Sequence, residues 1–149
     1  MNHRHRKSPT TPGFLIGLGT AIVMFAIAPH THASSADDQA ARDTAQHFLN
    51  LLDSGNYKQA YAALTPRRQA TLGEDNVVGF ARARRMPLGR ARSRSLLEAK
   101  RTRVLIGNPS GEYQDVAFKT SFEHKAEAVE RVVLTKETGT WQVLAYKIY

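Results

Sequence analysis

Between Gly79 and Leu105 the chain reads GFARARRMPLGRARSRSLLEAKRTRVL, with nine Lys or Arg against one acid, Glu98. The chemistry open to such a run is anion binding, because a planar guanidinium grips a carboxylate or phosphate with two parallel hydrogen bonds. Nucleic acid would need more. A non-specific track is continuous in charge, and single-strand binding interleaves aromatics with the cations, whereas this run holds only Phe80. The spacing also scatters the charge. Arg82 and Arg85 fall within about 60° of each other around a helix, while Arg84 points away. In a following strand Arg92, Arg94 and Lys100 fall on one side and Arg101 and Arg103 on the other, unless a bulge shifts the alternation. Most of these cations are expected on solvated faces and in surface ion pairs, and nucleic acid is not expected as a partner. Arg85 and Arg94 could clamp an anionic ligand. They could equally pair with an internal acid such as Glu112, Glu127 or Glu130 and fix the helix-to-sheet connection.

Catalytic sets are sparse. His47 lies on a helical segment and His124 in a turn, with no metal-ligand spacing around either. No G-x-S-x-G elbow, phosphate loop or H-E-x-x-H run occurs. Asp115 and Glu130 sit on predicted strands, and an inward carboxylate in an apolar pocket can act as a general base. Such a site needs a donor, for which Tyr61 and Tyr113 are the candidates; otherwise both acids face water or pair with arginine. Trp141, Tyr146 and Tyr57 read as core or rim packing, with a pocket mouth as the alternative, since a buried Trp or Tyr needs a partner for its polar atom. No catalytic residue, metal or cofactor is expected.

The N-terminus bears on the compartment. Arg4, Arg6 and Lys7 precede the uncharged run FLIGLGTAIVMFAIA, then Pro29 and the small residues of HTHASSA. This is the layout of a secretory signal peptide over residues 1–33, cleaved after Ala33 or Ala36. The run is short for a spanning helix, which needs roughly 17–25 residues, so an N-terminal membrane anchor is the alternative. His3, His5, His30 and His32 would leave with the leader. Loss of Arg4, Arg6 and Lys7 lowers the formal charge from +8 to +5. A basic exported domain tends to meet phospholipid headgroups, cell-wall polymers or acidic proteins. The chain has no cysteine, which excludes lipoprotein anchoring through cysteine, disulfides, thiol catalysis and cysteine zinc sites. Residues 34–149 make one domain that relies on its core alone.

The elements that must position these residues follow from periodicity. Ala41, Ala45, Phe48, Leu49 and Leu52 share a helix face, with Asp37 and Asp38 in the first turn and Gly55 as the stop. YKQAYAALTP is a second, short helix. Thr65-Pro66 reads as an N-cap and a first-turn proline, opening a third helical region to about Met86. That region should break near Gly73, with Asp75 or Asn76 capping the second piece and Val77, Phe80 and Ala81 facing inward. Four strands then follow: RSRSLLEAKRTRVLI, EYQDVAFKTSF, AVERVVLTKE and WQVLAYKIY, joined by short turns. The fold class expected is α+β, three N-terminal helices packed on a curved four-stranded antiparallel sheet.

Two runs are specific. One is R-x-P-L-G with the following Ser-Arg (Arg85, Pro87, Leu88, Gly89, Ser93, Arg94). The other is G-x-Y-x-x-V-x-F-x-T-x-F (Gly111, Tyr113, Val116, Phe118, Thr120, Phe122). With FLNLLDSGNYKQAYAAL and TWQVLAYKIY they resemble the bacterial domain-of-unknown-function 4019 family over about residues 38–149. The chain departs from that pattern at Tyr61, where a tryptophan is expected. The resemblance implies an exported cone-like fold similar to the nuclear transport factor 2-like group, with a pocket between helices and sheet, and brings no activity. The reading that results is a small exported, periplasmic, non-enzymatic binding or accessory domain. Its candidate ligand-binding residues are Tyr61, Arg85, Arg94 and Tyr113, and its partner is a small or anionic ligand or a protein. The rivals are a pocket enzyme of the isomerase or dehydratase type, and a homodimeric interaction module.

Overall fold

A computed structural model describes Met1 and residues 31–149, with side chains from residue 35 onward. Apart from Met1 and the backbone of its last three residues, the expected leader lies outside the described residues.

Helix α1 runs Thr31–Asp53. It begins earlier than expected, so Asp37 and Asp38 lie beyond the first turn and are used as ion-pair partners instead. The stripe Ala41, Ala45, Phe48, Leu49 and Leu52 is buried throughout. Each fully buried Phe or Leu of that stripe stabilises by about 1.5–3 kcal/mol relative to exposure. Gly55 stops the helix at φ 72°, and Asn56 N–H reaches back to the Leu51 carbonyl at 2.8 Å. Helix α2 is Tyr57–Ala62. Helix α3 is Pro66–Leu72, capped by Thr65, whose side chain accepts from Arg68 N–H at 3.3 Å.

The third helical region is two helices. Gly73, at φ 73°, ends α3 and serves as the N-cap of α4, Glu74–Arg85. Asp75 therefore sits inside the first turn rather than capping it, and Asn76 donates back to the Leu72 carbonyl at 3.0 Å. Ala81 is buried and Val77 packs against the core, but Phe80 is 57% exposed. The expected inward face is narrower than a full stripe. A 3₁₀ turn, Met86–Leu88, leads into the sheet.

Strands β1 (Ala91–Thr102), β2 (Tyr113–Phe122), β3 (Ala128–Thr135) and β4 (Gln142–Ile148) form one antiparallel sheet in chain order. The helices cover one face, against Val116 and Phe118 of β2, Val132 and Leu134 of β3 and Val143 of β4. This is the α+β class expected. Bulges in β1 and β4 bend the sheet. The start of β4 is tied to the helices by Thr65 N–H to the Val143 carbonyl and Val143 N–H to the Ala63 carbonyl, both at 3.0 Å.

Two bulges in β1, at Arg92 and at Leu97, overturn the plain alternation of its arginines. Leu96 pairs with Phe118, yet Glu98 pairs with Ala117, so Leu97 is the extra residue. Its insertion reverses the parity of everything after it. Arg94 and Arg101 both face the helices, opposite Thr120 and Gln114, and Lys100 faces outward beside Asp115.

Candidate functional site

Two adjoining features occupy the space where helices meet sheet. The first is a buried ion cluster around Glu130, which points inward from β3 and has no exposed surface. One of its carboxylate oxygens accepts from Arg85 and from the Tyr146 hydroxyl at 2.8 Å. The other accepts from Thr120 Oγ1 at 2.7 Å, Arg94 Nε at 2.9 Å and Arg94 Nη2 at 2.7 Å. Asp53, the last residue of α1, takes the remaining donors: Arg85, and Arg94 Nη1 at 2.7 Å. The Arg85 guanidinium also lies 4.7 Å over the Phe122 ring. Two guanidinium ions and two carboxylates cancel in charge.

This closure makes the burial tolerable. A charge taken out of water is stabilised only by close pairing and by hydrogen bonds to its remaining lone pairs and protons. Here the cluster joins α1 (Asp53), α4 (Arg85), β1 (Arg94), β2 (Thr120), β3 (Glu130) and β4 (Tyr146). Burial first, and then the Glu130 charge, push the Tyr146 hydroxyl well above its usual range. Tyr146 is thus held as a neutral phenol.

The second feature is a cleft of about 390 Å³ beside this cluster, with Tyr146 as their shared wall. Helices α2 to α4 contribute Tyr57, Ala60, Leu72, Val77 and Phe80, while α1 contributes Phe48 and Leu52. Strand β4 closes the far side with Leu144 to Lys147. The charged residues of the lining are Arg68, Arg84 and Lys147; among the described residues no Asp or Glu lines it. Arg68 Nε donates to the Leu144 carbonyl at 2.9 Å, and the Arg84 guanidinium stacks 4.8 Å over Phe80 at the mouth.

Of the four residues singled out in the sequence, Arg85 and Arg94 come together, on the same two carboxylates. Tyr61, on α2, reaches across to α3, donating its hydroxyl to the Gln69 carbonyl at 3.0 Å. Tyr113 is at the far end of β2, where its hydroxyl holds the Pro109 carbonyl at 2.5 Å and its ring packs against Gly111. Neither reaches the cluster. The pairing of Arg85 and Arg94 with an internal acid was legible, and Glu130 was among the acids named. Asp53 was missed. Its signal is an acid on the last residue of a helix, where the dipole disfavours negative charge and a specific cationic partner must hold it.

The other candidates lie apart. Asp115 faces away from the helices and accepts from Arg131 at 2.8 Å, and Arg131 also reaches Glu98 at 3.1 Å. Desolvation by burial raises the Asp115 carboxyl, against the pull of Arg131. His47 and His124 are both exposed, on α1 and in the turn after β2. Among the described residues there is no group of three or more His, Cys, Asp or Glu that could hold a metal ion, and no helix long and apolar enough to cross a membrane.

No curated protein matches the chain. A crystal structure of a Campylobacter jejuni protein, provisionally described as an NTF2-like transpeptidase, superposes with a TM-score of 0.51 at 19% identity, covering 70% of this chain and 96% of that one. At that identity the likeness concerns the fold: helices on one face of a curved antiparallel sheet. Residues 44–146, which carry both the ion cluster and the cleft, match the family described as "Protein of unknown function (DUF4019)", and the chain belongs to that family.

Proposed function

We propose that the chain is an exported, non-enzymatic binding domain that takes a small, largely apolar molecule into the cleft between α2–α4 and β4. The observation that carries this reading is the cleft itself. Its volume of about 390 Å³ falls within the roughly 300–1,000 Å³ of small-molecule sites, and its walls are apolar with a few polar groups at the mouth, as such sites are. The ion cluster supports it by holding Tyr146, a wall of the cleft, rigid, which reduces the ordering cost of binding. Export rests on the sequence of residues 1–33. The pocket-enzyme alternative would require an acid or base facing the ligand. Asp115 lies on the opposite face of the sheet, and Glu130 has its lone pairs occupied by Arg85, Arg94, Thr120 and Tyr146.

The test is thermal unfolding with a panel of apolar and amphipathic compounds. A ligand at 100 times its dissociation constant should stabilise the protein by about 2.7 kcal/mol. Val77→Trp, which places an indole in the cleft, should abolish that gain. The proposal fails if no apolar compound stabilises the protein, or if the gain survives Val77→Trp.

A further inference from the structure

The distribution of charge around the cleft narrows the ligand. Three cations, Arg68, Arg84 and Lys147, stand on its lining, and none of them makes an ion pair among the described residues. Several cations elsewhere on the chain are paired. Lys58 pairs with Glu74, Arg67 with Glu137, Arg131 with Asp115 and Glu98, and Lys136 with Asp37. Arg85, one turn beyond Ala81, is saturated by two carboxylates. The cleft therefore carries three cations and no carboxylate, and Arg82, 5.9 Å over the Tyr57 ring of its lining, is likewise without an ion pair among the described residues.

Their setting is also specific. The Arg84 guanidinium lies 4.8 Å over the Phe80 ring, which helps to hold it at the mouth, and the residue is exposed. Arg68 is held by Nε on the Leu144 carbonyl, which leaves its two terminal nitrogens available. Inside the mouth the walls turn apolar, with Phe48, Leu52, Ala60 and Leu64. Cations at the lip with hydrocarbon walls beneath complement a molecule with one anionic end and one apolar end.

We propose that the cleft binds a single-chain amphiphile with a carboxylate head, the chain lying among Phe48, Leu52 and Val77 and the head at Arg68, Arg84 and Lys147. The inference rests on the cleft-binding reading above and adds the head-group chemistry to it. A carboxylate is preferred because the flat fork of a guanidinium matches its two oxygens. The sites are near the surface, so the contribution of the head falls as salt rises.

The experiment separates the two claims. The purified protein is titrated with dodecanoate, dodecyl phosphate, the uncharged dodecyl maltoside and the chainless butyrate, each below its micelle concentration. Binding is read by calorimetry and by displacement of the uncharged dye N-phenylnaphthylamine. Dodecanoate should bind at least tenfold more tightly than dodecyl maltoside at low salt. The double variant Arg84→Gln/Lys147→Gln, which alters two exposed side chains and leaves Arg68 on its carbonyl, should lose most of that preference, and a preference left undiminished overturns the head-group inference. Equal binding of dodecanoate and dodecyl maltoside by the unaltered protein overturns the head-group inference and leaves the cleft reading standing. Tighter binding of dodecyl phosphate than dodecanoate overturns the choice of carboxylate. Butyrate binding as tightly as dodecanoate would mean that surface cations act alone, and overturns the proposal. If neither dye nor any twelve-carbon chain binds, this inference and the cleft reading fall together.

Discussion

Glu130 is surrounded by donors from four elements, and its removal has a definite cost. In Glu130→Ala, Arg85 would keep Asp53 but lose its other carboxylate, and it is only 4% exposed. Breaking a buried pair by deleting one partner costs about 3–5 kcal/mol, because the remaining charge stays out of water. We expect that loss in chemical denaturation, with the Tyr146 hydroxyl and Thr120 also left without an acceptor. A loss below about 1 kcal/mol, the range of exposed pairs, would show that the cluster is open to water. A second residue, Asp37, makes the molecule sensitive to acid. Its carboxylate accepts from Lys136 at 2.7 Å, from Trp141 Nε1 at 3.1 Å and from Arg101. The Lys136 hydrogen bond, opposed by desolvation and helped by Trp141 and Arg101, lowers its carboxyl below the ordinary 3.8. A depressed acid stabilises fully above its unfolded value and loses that stabilisation as pH falls through the folded one. The stability difference between the parent protein and Asp37→Asn should therefore be constant above about pH 5 and shrink as pH falls below 3.8. A difference independent of pH between 5 and 2 would refute the pairing.

At the scale of elements, the connection from α4 to β1 shows why the R-x-P-L-G run is specific. Arg85 enters the ion cluster, Pro87 makes the 3₁₀ turn, and Gly89 takes φ 73°, ψ −160°, a conformation open to glycine alone. A Cβ there would lie 2.7 Å from Glu123 Oε2 and 2.8 Å from Glu123 Cβ. Glu123 cannot simply withdraw, since Oε2 accepts from Arg90 N–H at 3.0 Å and its own N–H bonds the Arg90 carbonyl at 2.9 Å. Gly89→Ala should cost about 1–3 kcal/mol from the backbone alone, and more if the Arg90–Glu123 contacts break; unchanged stability would mean that the turn is not as described. Helices α1 to α3, all four strands and the break at Gly73 were legible, because 3.6-residue and two-residue periods and glycine breaks are local signals. The sides of β1 were not. The Leu97 bulge that brings Arg94 and Arg101 to one face is fixed by pairing with β2, which no window of β1 sequence contains. Exposed Phe80 was misjudged for a similar reason: its period is correct, but Arg84 covers it on the lip of a cleft rather than a neighbouring helix in the core. A pocket between helices and sheet was implied by the family resemblance, and Tyr57 and Tyr146, offered for its mouth, do line the cleft; the rest of its walls carry no local signal, being ordinary apolar residues from five elements.

For the molecule as a whole, the expected leader meets the folded domain inside α1, and this sets a prediction about processing. Cleavage after Ala33 would start the chain at Ser34; cleavage after Ala36 would start it at Asp37. Both leave the core intact, because Ser35 and Ala36 are exposed and the buried stripe begins at Ala41. Either start lies inside α1 and places the terminal ammonium at the positive end of its dipole, at a cost of about 0.3–1 kcal/mol at an exposed helix end. A chain starting at Asp37 sets that ammonium beside the carboxylate that Lys136, Trp141 and Arg101 share, which attracts it. Residues 34–149 and 37–149 should therefore agree in stability to within about 1 kcal/mol; a larger loss in the shorter chain would show that residues 34–36 help to hold the fold. Mass spectrometry of the protein recovered from the cell envelope should find a chain beginning at Ser34 or at Asp37. A product retaining Phe14–Ala28 would replace release by membrane anchoring, and would place the cationic mouth of the cleft within reach of the lipid surface from which an acyl chain could enter it.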